Sequence, residues 1–186
     1  MALALPRDWY RYYDTAAIGF GAHQLMPSYT PRHDVGWRFW ERRSGKLVSP
    51  FVALATNNLP TYVLPPNGLA VAVCDQEHQP PAFDHDCGLH YWPRLVDIYR
   101  AIRIFRLARC ARRVVTFGKA FGPYLPDESF TLDGQHLFRG LRATAYQVLC
   151  AIAVPHAVID PSYDFPMLVY TDTFPDLHEI EKEYAA

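Results

Sequence analysis

No stretch of this 186-residue chain approaches the roughly 20 consecutive apolar residues that a membrane-spanning helix requires. The N-terminal MALALPRDWYRYYD has a brief apolar run after Met1, no basic residue ahead of it and an early Pro6, so it does not read as a secretory signal. The expectation is a soluble, cytoplasmic protein with no membrane partner. The common catalytic signatures are missing too. There is no G-x-S-x-G and no phosphate-binding loop ending in Lys-Ser or Lys-Thr, and Gly19-Phe20-Gly21 lacks the third glycine of a dinucleotide loop. HEIEK at 178–182 lacks the second histidine of a zinc-binding helical pair, and C-x2-C occurs nowhere. Lysine is scarce: fifteen of the eighteen basic residues are arginine, whose planar fork suits carboxylates, phosphates and aromatic faces.

Half of the residues are apolar and 15% are aromatic, which excludes a disordered chain. The length suits one domain, residues 1–186, with a sizeable core. Without an export signal, the four cysteines read as thiols or metal ligands rather than disulfides. Cys110 and Cys150 stand in apolar surroundings and read as core. The sixteen prolines are about twice the average share, so elements are short and loops many.

GWRFWERRSGKLVSPFVAL alternates around Ser44-Gly45 and predicts a hairpin, with Trp37, Phe39, Leu47 and Phe51 on buried faces. GLAVAVC predicts a strand beside it. RLVDIYRAIRIFRLARCARR predicts a helix over 94–112 that buries Leu95, Ile98, Tyr99, Ile102 and Phe105. RVVTFGKAF reads as a strand ending at Gly122-Pro123, and FTLDG as a turn. Residues 136–153 show helical spacing through Leu137, Leu141, Ala145, Val148, Leu149 and Ile152, and a strand is expected at 167–171. Residues 8–25 suggest a further short helix. The expected architecture is α+β: a small, mainly antiparallel sheet with two principal helices packed on one face, joined by proline-rich loops.

In order and spacing, GWRFW, LVSPF, AVC, PPAFDHDCGLH, FGKAFG and RGLRATA, spanning roughly residues 36–150, resemble a group of small uncharacterised proteins of actinobacteria and their phages. The resemblance implies a phage origin and carries no activity. That group often has C-x-C-G where this chain has His85-Asp86-Cys87-Gly88. A cysteine-to-histidine exchange preserves a zinc ligand but not a disulfide, so the departure favours metal.

The densest Cys/His set is therefore Cys74, His85, Cys87 and His90, with His78 as a substitute, a candidate structural zinc site clipping a strand end to the following helix. Two other readings stay open. One is a polar loop of exposed histidines with Cys87 as a buried thiol. The other is catalysis, by a Cys87 nucleophile or by an open zinc site with Glu77 as base. No residue is assigned a catalytic role.

Charge offers another candidate. Segment 94–113 holds seven arginines against Asp97, while 155–186 holds seven acidic residues against Lys182. Arginines recurring every third position wind around a helix rather than forming a stripe, although Arg106, Arg109 and Arg113 share one side and are the candidate nucleic-acid contacts. The competing reading pairs these arginines with solvent or with the acidic tail. The function expected is a non-enzymatic binding or accessory protein, phage-encoded and host-modulating, that docks onto a protein partner. The alternatives are a nucleic-acid binder using the arginine-rich helix 94–113, and a zinc- or cysteine-dependent hydrolase.

Overall fold

The computed structural model describes residues 33–50, 62–74, 78–82, 87–104, 112–127, 131–132, 135–136, 140–153, 157–170 and 174–185. These contain nine strands and two helices. The architecture is sheet-dominated α+β. One mainly antiparallel sheet has seven strands, and a separate two-stranded ribbon pairs β6 (Thr131–Leu132) with β7 (Gln135–His136).

β1 (Val35–Arg43) turns through Ser44 and Gly45 into β2 (Lys46–Val48), as the alternation predicts. Both turn residues have positive φ, 48° and 82°, the combination whose twist matches antiparallel strands. β1 pairs next with β5 (Arg113–Asp127), and β5 with β8 (Gly140–Ala153). The other edge of β8 carries three short strands in a row: β4 (Leu89–Tyr91), β3 (Leu69–Val71) and, in parallel, β9 (Met167–Val169). The sheet curls until Trp92, directly after β4, meets β1. Trp37 N donates to Trp92 O at 2.8 Å and Trp92 N to Trp37 O at 2.7 Å, closing a ring through β1, β5, β8 and β4.

The curl makes two cores. On one face, Val35, Trp37, Phe39, Val115, Phe117, Cys150 and Ile152 form a cluster with residues of α1 (Leu95–Ile104) and α2 (Leu177–Tyr184). α1 contributes Leu95, Ile98, Ala101 and Ile102, and α2 contributes Leu177 and Ile180. On the other face, Trp40, Leu47, Leu64, Tyr91, Val114, Tyr146 and Val148 pack together. β1 alternates strictly between the two, with odd positions on the helix side and even positions inside the curl.

Several expectations change. Residues 140–153 are the strand β8, not a helix. A strand flanked on both edges and covered on both faces has little polar alternation, so its apolar spacing mimics a helical face. β8 also carries a register shift opposite Phe117/Gly118, which places Leu149 and Cys150 against the same helix-side cluster and breaks the period of two. β5 continues past Gly122-Pro123 to Asp127, because a second shift between Phe121 and Tyr124 leaves those two residues outside the ladder. β3 lies beside β8 rather than beside the hairpin. Arg112 is in a turn and Arg113 is the first residue of β5, so the expected helix does not run to 113. Phe51, Phe105 and the proposed helix at 8–25 lie outside the described residues.

Candidate metal centre

β3 and β4 are two parts of one interrupted strand. Leu69, Ala70 and Val71 face Gln147, Tyr146 and Ala145, while Leu89, His90 and Tyr91 face Ala143, Arg142 and Leu141. Only Thr144 of β8 stands between them. The chain leaves the sheet after Ala72, whose N–H donates to Thr144 O at 2.8 Å, and rejoins it at Leu89. The excursion from the sheet between Ala72 and Leu89 is thus inserted at a single ladder position.

The base of this excursion is tied back by polar contacts. Thr144 Oγ1 donates to Pro80 O at 2.8 Å, and Arg142 donates from an Nη to Cys87 O at 3.0 Å. Re-entry depends on Gly88, whose φ of 122° disfavours any side chain; a Cβ there would also lie 3.1 Å from both Arg142 Cβ and Pro81 Cβ.

At this base Cys74, His78 and Cys87 converge, with one ligand atom from each within 4.8 Å of the others. His78 Nε2 lies 3.2 Å from Cys74 Sγ and 3.8 Å from Cys87 Sγ. A tetrahedral zinc with Zn–S near 2.3 Å and Zn–N near 2.0 Å would hold sulfur and nitrogen about 3.5 Å apart. Two sulfurs and an imidazole nitrogen at these separations are a donor set that could hold a metal ion. Cys87 Sγ also accepts from Ala82 N at 3.3 Å, an outer contact that orients the ligand. Burial raises the Cys87 thiol pKa and the neighbouring Cys74 raises it further, whereas the Ala82 N–H and Arg142 oppose both. A cation between the sulfurs would remove the repulsion between two thiolates.

Of the residues expected from sequence, Cys74 and Cys87 are brought together, and the substitute His78 joins them. His85 lies outside the described residues. His90 is engaged elsewhere: buried on β4, its Nδ1 sits 2.6 Å from Asp127 Oδ2. Gly140, the ladder partner of Asp127, leaves room for this pair, since a Cβ on it would come within 3.1 Å of Asp127 Oδ2. Nothing in the local sequence links positions 90, 127 and 140, which meet only through strand register.

Beside this pair lies Arg38, fully buried inside the curl. Its guanidinium donates to His90 O at 2.5 Å and Ser49 Oγ at 2.7 Å, and its carbon lies 4.6 Å from the Trp40 ring centroid. Burial lowers its pKa to about 10, partly offset by Tyr146, Tyr62 and Asp127. Arg38 has the geometry of an internal tie between β1, β4 and the segment after β2.

Of the candidate nucleic-acid residues, only Arg113 lies among the described residues. Arg106 and Arg109 lie outside the described residues, and Arg113 stands opposite Glu41 with its guanidinium carbon 5.8 Å from the Phe39 ring centroid. Arg113 is therefore on a sheet rim, not on a helix side shared with the other two. In the tail, Glu179 pairs with Lys182, Glu181 accepts from Trp37 Nε1 at 2.7 Å, and Asp176 caps α2 by accepting from His178 N. No helix among the described residues is long and apolar enough to cross a membrane.

No family model, curated protein or solved structure matches this chain.

Proposed function

We propose that this protein is a non-enzymatic binding module whose docking element is the excursion at 73–88, held at its base by a structural zinc on Cys74, His78 and Cys87. The carrying observation is the insertion itself: a strand interrupted at one ladder position, with two thiols and an imidazole gathered where the chain leaves and returns. Rigid scaffolds commonly present binding residues on such loops, and a metal clip offsets the entropy of closing them. Val73, at the start of the excursion, is 82% exposed, as an interface residue would be. His85, two positions before Cys87, supplies the fourth ligand in this reading. The partner is a protein, and in this reading the role is an accessory, host-modulating one.

Metal analysis with native mass spectrometry tests the clip. About one zinc per chain is expected, lost on Cys87→Ser and reduced by His85→Ala. A folded, metal-free wild-type protein overturns it. For docking, Val73→Asp, which leaves Cys74, His78 and Cys87 in place, should keep the fold and the metal and lose the partner that wild type recovers in nuclease-treated lysate. Equal recovery by both proteins overturns the assignment to the loop.

A second reading has its own observation. Strand register gathers Arg42, Arg43, Lys46, Arg112 and Arg113 at one end of β2, β1 and β5. Arg43 is directly opposite Lys46, Arg42 N donates to Arg112 O, and Glu41, paired with Arg43 at 3.0 Å and opposite Arg113, offsets part of the charge. Like charges facing each other across strands cost stability, and an anionic partner such as a phosphate backbone relieves that cost. Reversing Arg43, Lys46 and Arg112 should abolish oligonucleotide binding at low salt if this rim is used. Unchanged binding removes the reading.

A further inference from the structure

We propose that Cys74 and Cys87 are a disulfide-forming pair, oxidised by a peroxide, so that the base of the excursion is closed by metal in the reduced protein and by a covalent bond in the oxidised one. This rests on the zinc reading for the release of metal, but not for formation of the disulfide.

The geometry that gathers the ligands also gathers the reactants. The two sulfurs belong to a group whose ligand atoms lie within 4.8 Å of one another, neither cysteine is in a disulfide, and both are only half-buried, so a small oxidant reaches them. Their backbones enter and leave the sheet on either side of Thr144, and the chain between them is drawn back by the Thr144, Arg142 and Ala82 contacts. Little loop closure remains to be done when the bond forms. Cys150 provides an internal contrast, because it is fully buried in the helix-side core, where an oxidant dissolved in water does not reach its sulfur.

The chemistry balances with hydrogen peroxide as oxidant. One thiolate attacks a peroxide oxygen, the O–O bond breaks, and with one proton the products are a sulfenic acid and water. The second thiolate attacks that sulfur, the S–OH bond breaks, and the departing hydroxide takes a proton to become the second water. Two electrons pass from the two sulfurs to peroxide. The disulfide no longer offers two thiolate ligands, so the zinc leaves and His78 loses its metal.

The test uses the wild-type full chain. Zinc content is measured first on reduced protein, which examines the metal reading alone. Hydrogen peroxide in modest excess should then release about one zinc per chain into a chromogenic chelator and lower the intact mass by about 2 Da. Peptide mapping should place the cross-link between Cys74 and Cys87, and dithiothreitol with zinc should restore the starting state. Cys150→Ser should behave as wild type, while Cys74→Ser should give no cross-link. If reduced protein carries no zinc, the metal reading fails, and the pair is judged by diamide treatment of the same protein, where a Cys74–Cys87 cross-link still supports it. Zinc retained under peroxide, or sulfinic acid on both cysteines with no cross-link, overturns the proposal.

Discussion

The helix-covered face of the sheet and the row formed by β3 and β4 are built on opposite principles. On the first, Trp37, Phe117, Ile98, Ile102 and Leu177 are essentially without exposure, and the Trp37 and Phe117 ring centroids are 4.9 Å apart. Dense apolar packing holds that region. The second is interrupted and offers short strands to one edge of β8; Ala70, Leu89 and Tyr91 anchor it in the other apolar cluster, and directional contacts add to that: Arg38 to His90 O, His90 to Asp127, Arg142 to Cys87 O, and the Cys/His cluster. Apolar burial is non-directional and tolerates no opening, whereas polar ties can be released one at a time. Adaptable parts thus sit on the edge, while β1, β5 and β8 supply the stiffness behind them.

The sharpest way to break that contrast is to put a charge into the apolar side. Ile102 is 1% exposed within the cluster that joins α1 to the sheet. Ile102→Asp leaves a carboxylate there without a designed partner and should cost at least about 4 kcal/mol, enough to unfold a marginally stable domain. Chemical denaturation measures it. A loss under about 1 kcal/mol would show that α1 does not secure the core.

A smaller effect is expected from the polar side. Asp127→Ala removes the carboxylate from a buried histidine and should cost about 1–3 kcal/mol, the usual range when a buried polar group loses its partner. Because Cys74, His78 and Cys87 are untouched, zinc content should stay the same. Hydrogen exchange should speed up at 89–91 and remain slow at 114–117. Equal acceleration in both segments would mean that the two regions form one cooperative unit, and the contrast drawn above would fall.

How much of this was legible in the sequence follows the range of the interactions. The hairpin at Ser44-Gly45 and the stripe Leu95, Ile98, Tyr99, Ile102 are local patterns, and the structure keeps both, with Tyr99 only half-buried against the cluster. β8 was misread because its surroundings, not its propensity, decide its conformation. Its alanines and leucines suit a helix, but β5 on one edge and β3, β4 and β9 on the other require a strand. At the site, two cysteines near a turn glycine gave the right neighbourhood. The choice of His78 for the gathered group, and the engagement of His90 with Asp127, could not be read locally. β4's register sends the His90 ring toward a residue on β5, across the strand that separates them.

The smallest effect concerns the outer edge of β3, where the row meets solvent. Ala70 and its neighbours Gly68 and Ala72 turn toward β8, as the bonds from Val148 N to Gly68 O and from Ala72 N to Thr144 O show, so Leu69 and Val71 present their N–H groups outward. Each is covered by a side chain: Leu69 N donates to Asn67 Oδ1 at 3.1 Å and Val71 N to Tyr62 Oη at 2.9 Å. Uncovered N–H groups on an edge invite pairing with another chain, and Val63 and Val71 beside them are exposed. Tyr62→Phe deletes one cover while keeping the ring. Since the freed N–H can bond to water, the cost in stability should be about 1 kcal/mol or less. Self-association should rise with concentration in sedimentation velocity, more so when Asn67→Ala is added. A double variant that stays monomeric at high concentration would show that the edge is protected by the excursion or by strand twist rather than by these two side chains.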